Sequence, residues 1–129
     1  MKKDMLHPPA LDIDKILHKP DGRPHANGVL ERRIVWNLIA QVEAAGFPIR
    51  YVEDEDEVTG RKEVKTAKEA MELIFNLDEV HIYFQKGKVT HWVFLVLGNG
   101  TDIVSDFGMP RKPDAFSKIL DTFDGEDFA

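Results

Sequence analysis

The stretch from Val80 to Phe107 constrains this chain more than any other, because it reads as three consecutive β-strands with apolar side chains on both faces. A sheet apolar on both sides must be covered twice, by the chain's own helices or by something else. Gly87-Lys88 reads as a tight hairpin turn with glycine where positive φ is needed, and Gly98-Asn99-Gly100 as a second such turn. Two-residue turns fix the registers, since side chains alternate with a period of two. One face then carries Val80, Ile82, Phe84, His91, Val93, Leu95, Leu97, Asp102, Val104 and Asp106. It is aliphatic and suited to helix packing. The other carries His81, Tyr83, Gln85, Trp92, Phe94, Val96, Ile103, Ser105 and Phe107, with Tyr83 opposite Trp92 and Phe94 between His81 and Ser105.

Helices flank this meander. Leu30, Ile34, Val35, Leu38, Val42 and Ala45 recur on one stripe, with Arg32, Asn37 and Gln41 opposite, which predicts a helix over 29–45 that ends at Gly46. Thr66-x-x-Glu69 is a capping-box signature for a helix over 67–76, and Pro113 opens a third over 113–123 with Phe116, Ile119, Leu120 and Phe123 on one side. Ile49 to Val52 is a short strand candidate, with Val58 or Val64 as a weak partner around Thr59-Gly60. The expected fold is therefore α+β: an antiparallel meander of three to four strands packed with three to four helices. Residues 28–123 form the domain. Residues 1–27 precede it as an irregular segment with a short helix candidate at Leu11–Leu17, and 124–129 follow as an acidic, frayed tail.

Composition narrows the function classes. A chain of 129 residues can bury a core unaided, and 43% hydrophobic with 31% charged residues is ordinary for a globular domain. There is no cysteine, so disulfides and thiolate chemistry are excluded. The longest apolar run, Trp92 to Leu97, is far short of the ~20 residues of a membrane span, and Met1-Lys2-Lys3-Asp4 leads into Pro8-Pro9 rather than an apolar leader. A cytoplasmic protein without membrane attachment is expected. A net charge of -6 speaks against nucleic acid, whose binding rests on a basic surface. The acidic run Glu53-Asp54-Glu55-Asp56-Glu57 reads as a solvated loop: it lacks the spaced ligands and central glycine of a calcium loop, and Arg61, Lys62, Lys65 and Lys68 follow it closely.

Two functional readings remain. The aromatic face, with Tyr83, Trp92, Phe94, His81 and Phe107, has the composition of an interface core, suited to a protein partner or to a second copy in a homodimer. Against it, the same rings could be core. The second reading is a small metal-assisted hydrolase or nuclease using Asp102, Asp106 and His91, which the expected register puts on one face. Its bland counterpart is that both aspartates sit at strand ends to accept backbone hydrogen bonds. His7, His18 and His25 are too irregularly spaced to form a site, Ser105 lacks a nucleophile elbow, and the Gly98–Gly100 glycines lack the lysine and helix of a phosphate loop. No cofactor is implied.

The segments Trp36-Asn-Leu-Ile-Ala-Gln-Val-Glu-Ala-Ala-Gly-Phe47, Met71-Glu-Leu-Ile-Phe-Asn-Leu-Asp-Glu79 and Trp92-Val-Phe-Leu-Val-Leu-Gly-Asn-Gly-Thr-Asp-Ile-Val-Ser-Asp106 resemble those of small proteins from bacteriophages and prophage-bearing bacteria. The resemblance spans about Glu31 to Phe107. It implies an accessory role exercised by binding rather than metabolic chemistry, and it assigns no catalytic residue.

Overall fold

The computed structural model describes residues 28–55, 60–75, 77–98, 100–108 and 114–128. The N-terminal segment, Val58, Thr59 and Pro113 lie outside the described residues. Among the described residues, three helices and a five-stranded antiparallel sheet make an α+β fold: α1 (Gly28–Ala44), β1 (Ile49–Asp54), β2 (Arg61–Glu63), α2 (Ala67–Ile74), β3 (Glu79–Lys86), β4 (Val89–Val96), β5 (Val104–Gly108) and α3 (Ala115–Thr122), closed by a 3-10 turn (Gly125–Phe128). The strand order is β2-β1-β3-β4-β5. The sheet thus has one strand more than the upper expectation, because Ile49–Asp54 pairs on both sides, with β3 and with the three-residue β2.

The helix-facing side of the sheet is the core. Val80, Ile82 and Phe84 of β3 and Val93 and Leu95 of β4 are fully buried against Ile34, Val35, Leu38, Ile39 and Val42 of α1. Helix α1 is more enclosed than a single stripe implies, since α2, α3 and the 3-10 turn also pack on it. Two of its buried polar residues have hydrogen-bond partners: Asn37, expected on the outer side, donates Nδ2–H to the Arg33 carbonyl at 2.8 Å, and Glu31 accepts the amide of Gly98, distant along the chain.

The helix starts are built by side chains that occupy orphan amides. At α2, Thr66 Oγ1 accepts the Glu69 amide at 3.1 Å, while the Glu69 carboxylate reaches the Lys65 amide at 3.2 Å, one residue before the N-cap that a strict capping box would use. Helix α3 starts later than Pro113 suggests, with Asp114 as N-cap in a reciprocal box with Ser117. Residues 124–128 are not frayed: Phe128 is fully buried, stacks on Phe123 at 5.4 Å, and its carbonyl accepts Arg33 Nη1–H at 3.3 Å.

The first hairpin follows the expected register, Lys86 opposite Val89 through to Val80 opposite Leu95, turning on Gly87 at φ 61°. The second does not. β4 ends at Val96 and β5 starts at Val104, so the connection is a loop rather than a two-residue turn. Leu95 still pairs with Val104, but Phe94 pairs with Asp106, leaving Ser105 as an extra residue. One bulged residue reverses the alternation beyond it. Asp106 and Gly108 therefore lie on the aromatic face, whereas Phe107 lies opposite Val93 on the core face, its ring 6.4 Å from that of Phe116.

Candidate functional site: the aromatic face of the sheet

Strand pairing arranges the second face in two cross-strand rows. The first runs Arg61, Glu53, His81, Phe94, Asp106, and the second Glu63, Tyr51, Tyr83, Trp92, Gly108. Tyr51, His81, Tyr83, Trp92 and Phe94 are half-buried, and neither the two tyrosines, Trp92 nor Phe94 joins the core cluster into which the helices pack. Much of their cover comes from one another. The His81 ring stacks on Phe94 at 4.6 Å and 18°, and lies 5.4 Å from Trp92 and 6.2 Å from Tyr83. Trp92 reaches across to β5 because Gly108 has no side chain: a Cβ there would sit 2.2 Å from the indole Nε1.

One end of the face is charged. The Tyr83 hydroxyl donates to Glu53 Oε1 at 2.7 Å, and the Arg61 guanidinium carbon lies 4.3 Å from the Tyr83 ring centroid and 5.5 Å from that of Tyr51. Arg61 Nε is 3.9 Å from Glu53 Oε2, and His81 Nδ1 is 2.6 Å from Glu55 Oε2. Burial, then the hydrogen bond to Glu53 and its negative charge, push the Tyr83 phenol up to about 12 against the opposing pull of Arg61. Glu53 and Asp54 are thus strand residues rather than part of a solvated loop. Glu55 follows in the turn, and Asp56 and Glu57 lie outside the described residues.

Of the residues expected to bind a partner, Tyr83, Trp92, Phe94 and His81 come together on this face, and Phe107 lies on the other. Tyr51, Glu53 and Arg61 belong to the same face and were not anticipated there. Strict alternation from the buried Ile49 would turn Tyr51 inward; an irregularity between Ile49 and Tyr51 reverses it, and the placement of Tyr51 beside Tyr83 depends on β1 pairing with β3, which no local pattern reveals.

The expected metal set is not brought together. Asp106 projects beside Phe94, where its carboxylate accepts the Phe107 amide at 2.9 Å, while His91 is buried on the core side. Among the described residues no group of three His, Asp or Glu side chains is placed to hold a metal ion. His91 instead lies between Phe47 and Phe116, at ring distances of 4.8 and 4.6 Å, and its Nε2 meets Asp114 Oδ2 at 2.9 Å. Burial pushes the Asp114 carboxyl up, but hydrogen bonds from His91 and the Ser117 amide outweigh it and hold the carboxyl below its usual range. A cavity of about 180 Å³ between Phe47, Lys86, Val89 and this pair is one recess, and a polar one of about 290 Å³ between Asp102, Asp124 and Glu126 is another. No described helix is long and apolar enough to cross a membrane. Protein-family models, curated proteins and solved structures yield no match to this chain.

Proposed function

We propose that this chain is a non-enzymatic binding protein of the cytoplasm that docks another protein on the aromatic face of its sheet. The observation that carries this reading is that Tyr51, Tyr83, Trp92 and Phe94 sit together, half-buried and outside the core, on the face opposite the helices. Large rings already fixed by cross-strand stacking lose little conformational freedom on docking and bring much contact area, which is why tyrosine and tryptophan dominate interface hot spots. The overall charge of -6 favours protein over nucleic acid as the partner. The resemblance to small bacteriophage proteins supports a regulatory use of such docking.

The test is photo-crosslinking in the producing cell, with a benzophenone amino acid replacing Gln85 on this face or Lys118 on α3. Docking predicts a specific protein adduct from the Gln85 position, absent from Lys118 and lost when Trp92→Ala is added to a chain that still shows a folded circular-dichroism spectrum. An adduct with a second copy of the chain would make the partner itself. Equal adducts from both positions, or adducts indifferent to Trp92, would refute the reading.

A further inference from the structure

We propose that the corner formed by Tyr51, Tyr83 and Glu53 is a guanidinium site that Arg61 closes in the free protein, and that the partner is a basic segment whose arginine takes Arg61's place. This rests on the reading that the aromatic face docks protein, and it names the chemistry of what docks. Two aromatic faces at 4.3 and 5.5 Å from the guanidinium carbon and a carboxylate oxygen 3.9 Å from Nε are what recognition of an arginine requires: π-density for the delocalised cation and an anion for its N–H groups.

The occupant is held lightly. Arg61 is on β2, a three-residue edge strand whose residues are all exposed, and its own side chain is 45% exposed. Its departure would disturb no core residue, and Tyr83 would keep its hydrogen bond to Glu53. Charge points the same way. Glu53, Glu55, Glu63 and Asp106 lie on or beside the two rows, in a chain of net charge -6, so removing Arg61 leaves a face that attracts cations.

The rows also suggest how such a segment would lie. Glu53 on β1 and Asp106 on β5 end a row that crosses β3 and β4, three interstrand spacings of ~4.8 Å, or about 14 Å. An extended segment advances ~3.4 Å per residue, so arginines four positions apart would reach both carboxylates with the intervening residues over His81 and Phe94.

The test is fluorescence polarisation with a labelled glycine peptide carrying two arginines four positions apart, and with its citrulline counterpart, which keeps the shape and removes the charge. The arginine peptide is expected to bind and the citrulline peptide not. Arg61→Ala should tighten binding about two- to fivefold, the factor an exposed cation–π contact represents. Glu53→Gln and Tyr83→Leu should weaken it, each checked for an unchanged fold by circular dichroism. Binding unaffected or weakened by Arg61→Ala would overturn the proposal, as would equal binding of the citrulline peptide. If no variant binds the peptide while the Gln85 adduct still forms and still needs Trp92, the guanidinium site is refuted and the docking face stands. If peptide binding follows Arg61 and Glu53 but no adduct forms, the docking reading fails and a site for small guanidinium ligands remains.

Discussion

Replacing Gly125 by alanine places a methyl group 2.1 Å from the Thr101 carbonyl oxygen and 3.4 Å from Ile34 Cδ1. The conflict is with backbone rather than a movable side chain, so the 3-10 turn must shift as a body away from the loop between β4 and β5. What that shift costs has a ceiling. Once the penalty exceeds the worth of docking Phe128, the turn detaches and the conflict vanishes. Phe128 is fully buried, and truncating such a phenylalanine costs ~3–5 kcal/mol, from lost transfer energy and an unfilled cavity. Gly125→Ala is therefore expected to destabilise the domain by about 3 kcal/mol. For a chain of this size the corresponding drop in melting temperature is about 10 °C. Urea unfolding followed by tryptophan fluorescence measures the first, and a thermal melt the second. The decisive comparison is the double variant: with Phe128 already removed, Gly125→Ala should add less than ~1 kcal/mol, because the turn has little left to lose. Full additivity, or a Gly125→Ala single variant within ~0.5 kcal/mol of the parent, would refute the reasoning.

Three further outcomes follow from other parts of the structure. Asp114→Asn keeps a capping oxygen but removes the charge beside His91; because the native carboxyl is held below its usual value, its contribution is present above the ordinary carboxylate range and is lost as pH falls through the folded value. Stability measured from pH 7 downward should decline less steeply in Asp114→Asn than in the parent, and equal slopes would contradict the pairing. Tyr83, raised to about 12, stays protonated in the folded chain while an unfolded tyrosine ionises near 10, so it should make stability fall as pH rises from about 10 towards 12. Ultraviolet titration should show a late-ionising phenol that Tyr83→Phe abolishes. Gly108→Ala should drive the indole of Trp92 off β5 at a cost of ~1–3 kcal/mol. In a Trp36→Phe background the Trp92 emission should shift to the red, and an unchanged spectrum would mean that the indole does not rest on Gly108.

The sheet was largely legible because its strongest signals are local. Gly87 fixes one turn, that turn fixes the β3–β4 register, and the register puts Val80, Ile82, Phe84, Val93 and Leu95 in the core and Tyr83 beside Trp92, as found. What escaped the sequence depends on partners distant along the chain. Phe128 looked like part of an acidic tail because its burial is decided by α1 and the β4–β5 loop, where Gly125 leaves room for close approach. His91 was legible as a core-side position, but its pairing with Asp114 required knowing where α3 begins. The charged corner was hidden because Tyr51, Glu53 and Arg61 become neighbours of Tyr83 only through the β1 pairings.

The bulge at Ser105 decides where the candidate face ends, and its cause lies in the order of residues along β5. Val104-Ser105-Asp106-Phe107 places two polar residues between two apolar ones, so strict alternation from Val104 would turn Asp106 toward the core and Phe107 away from it. An unpaired carboxylate in that core would cost several kcal/mol, and withdrawing a phenylalanine from it forfeits a further ~1.5–3 kcal/mol. Leaving Ser105 unpaired removes both penalties for about one ladder hydrogen bond, worth ~1 kcal/mol. The same reversal brings Gly108 opposite Trp92 and Asp106 opposite Phe94, giving the indole a place to lie and the row a carboxylate at its far end. Deleting Ser105 should therefore join Val104 directly to Asp106, keep Val104 opposite Leu95 and Asp106 opposite Phe94, and regularise β5 without turning Asp106 toward the core. Partner docking and the second arginine contact should survive both this deletion and Ser105→Ala, since each leaves Asp106 and Gly108 on the aromatic face. A deletion variant that lost the second arginine contact, or that was destabilised as an inward Asp106 would require, would show that Ser105 is not the residue left out of the ladder.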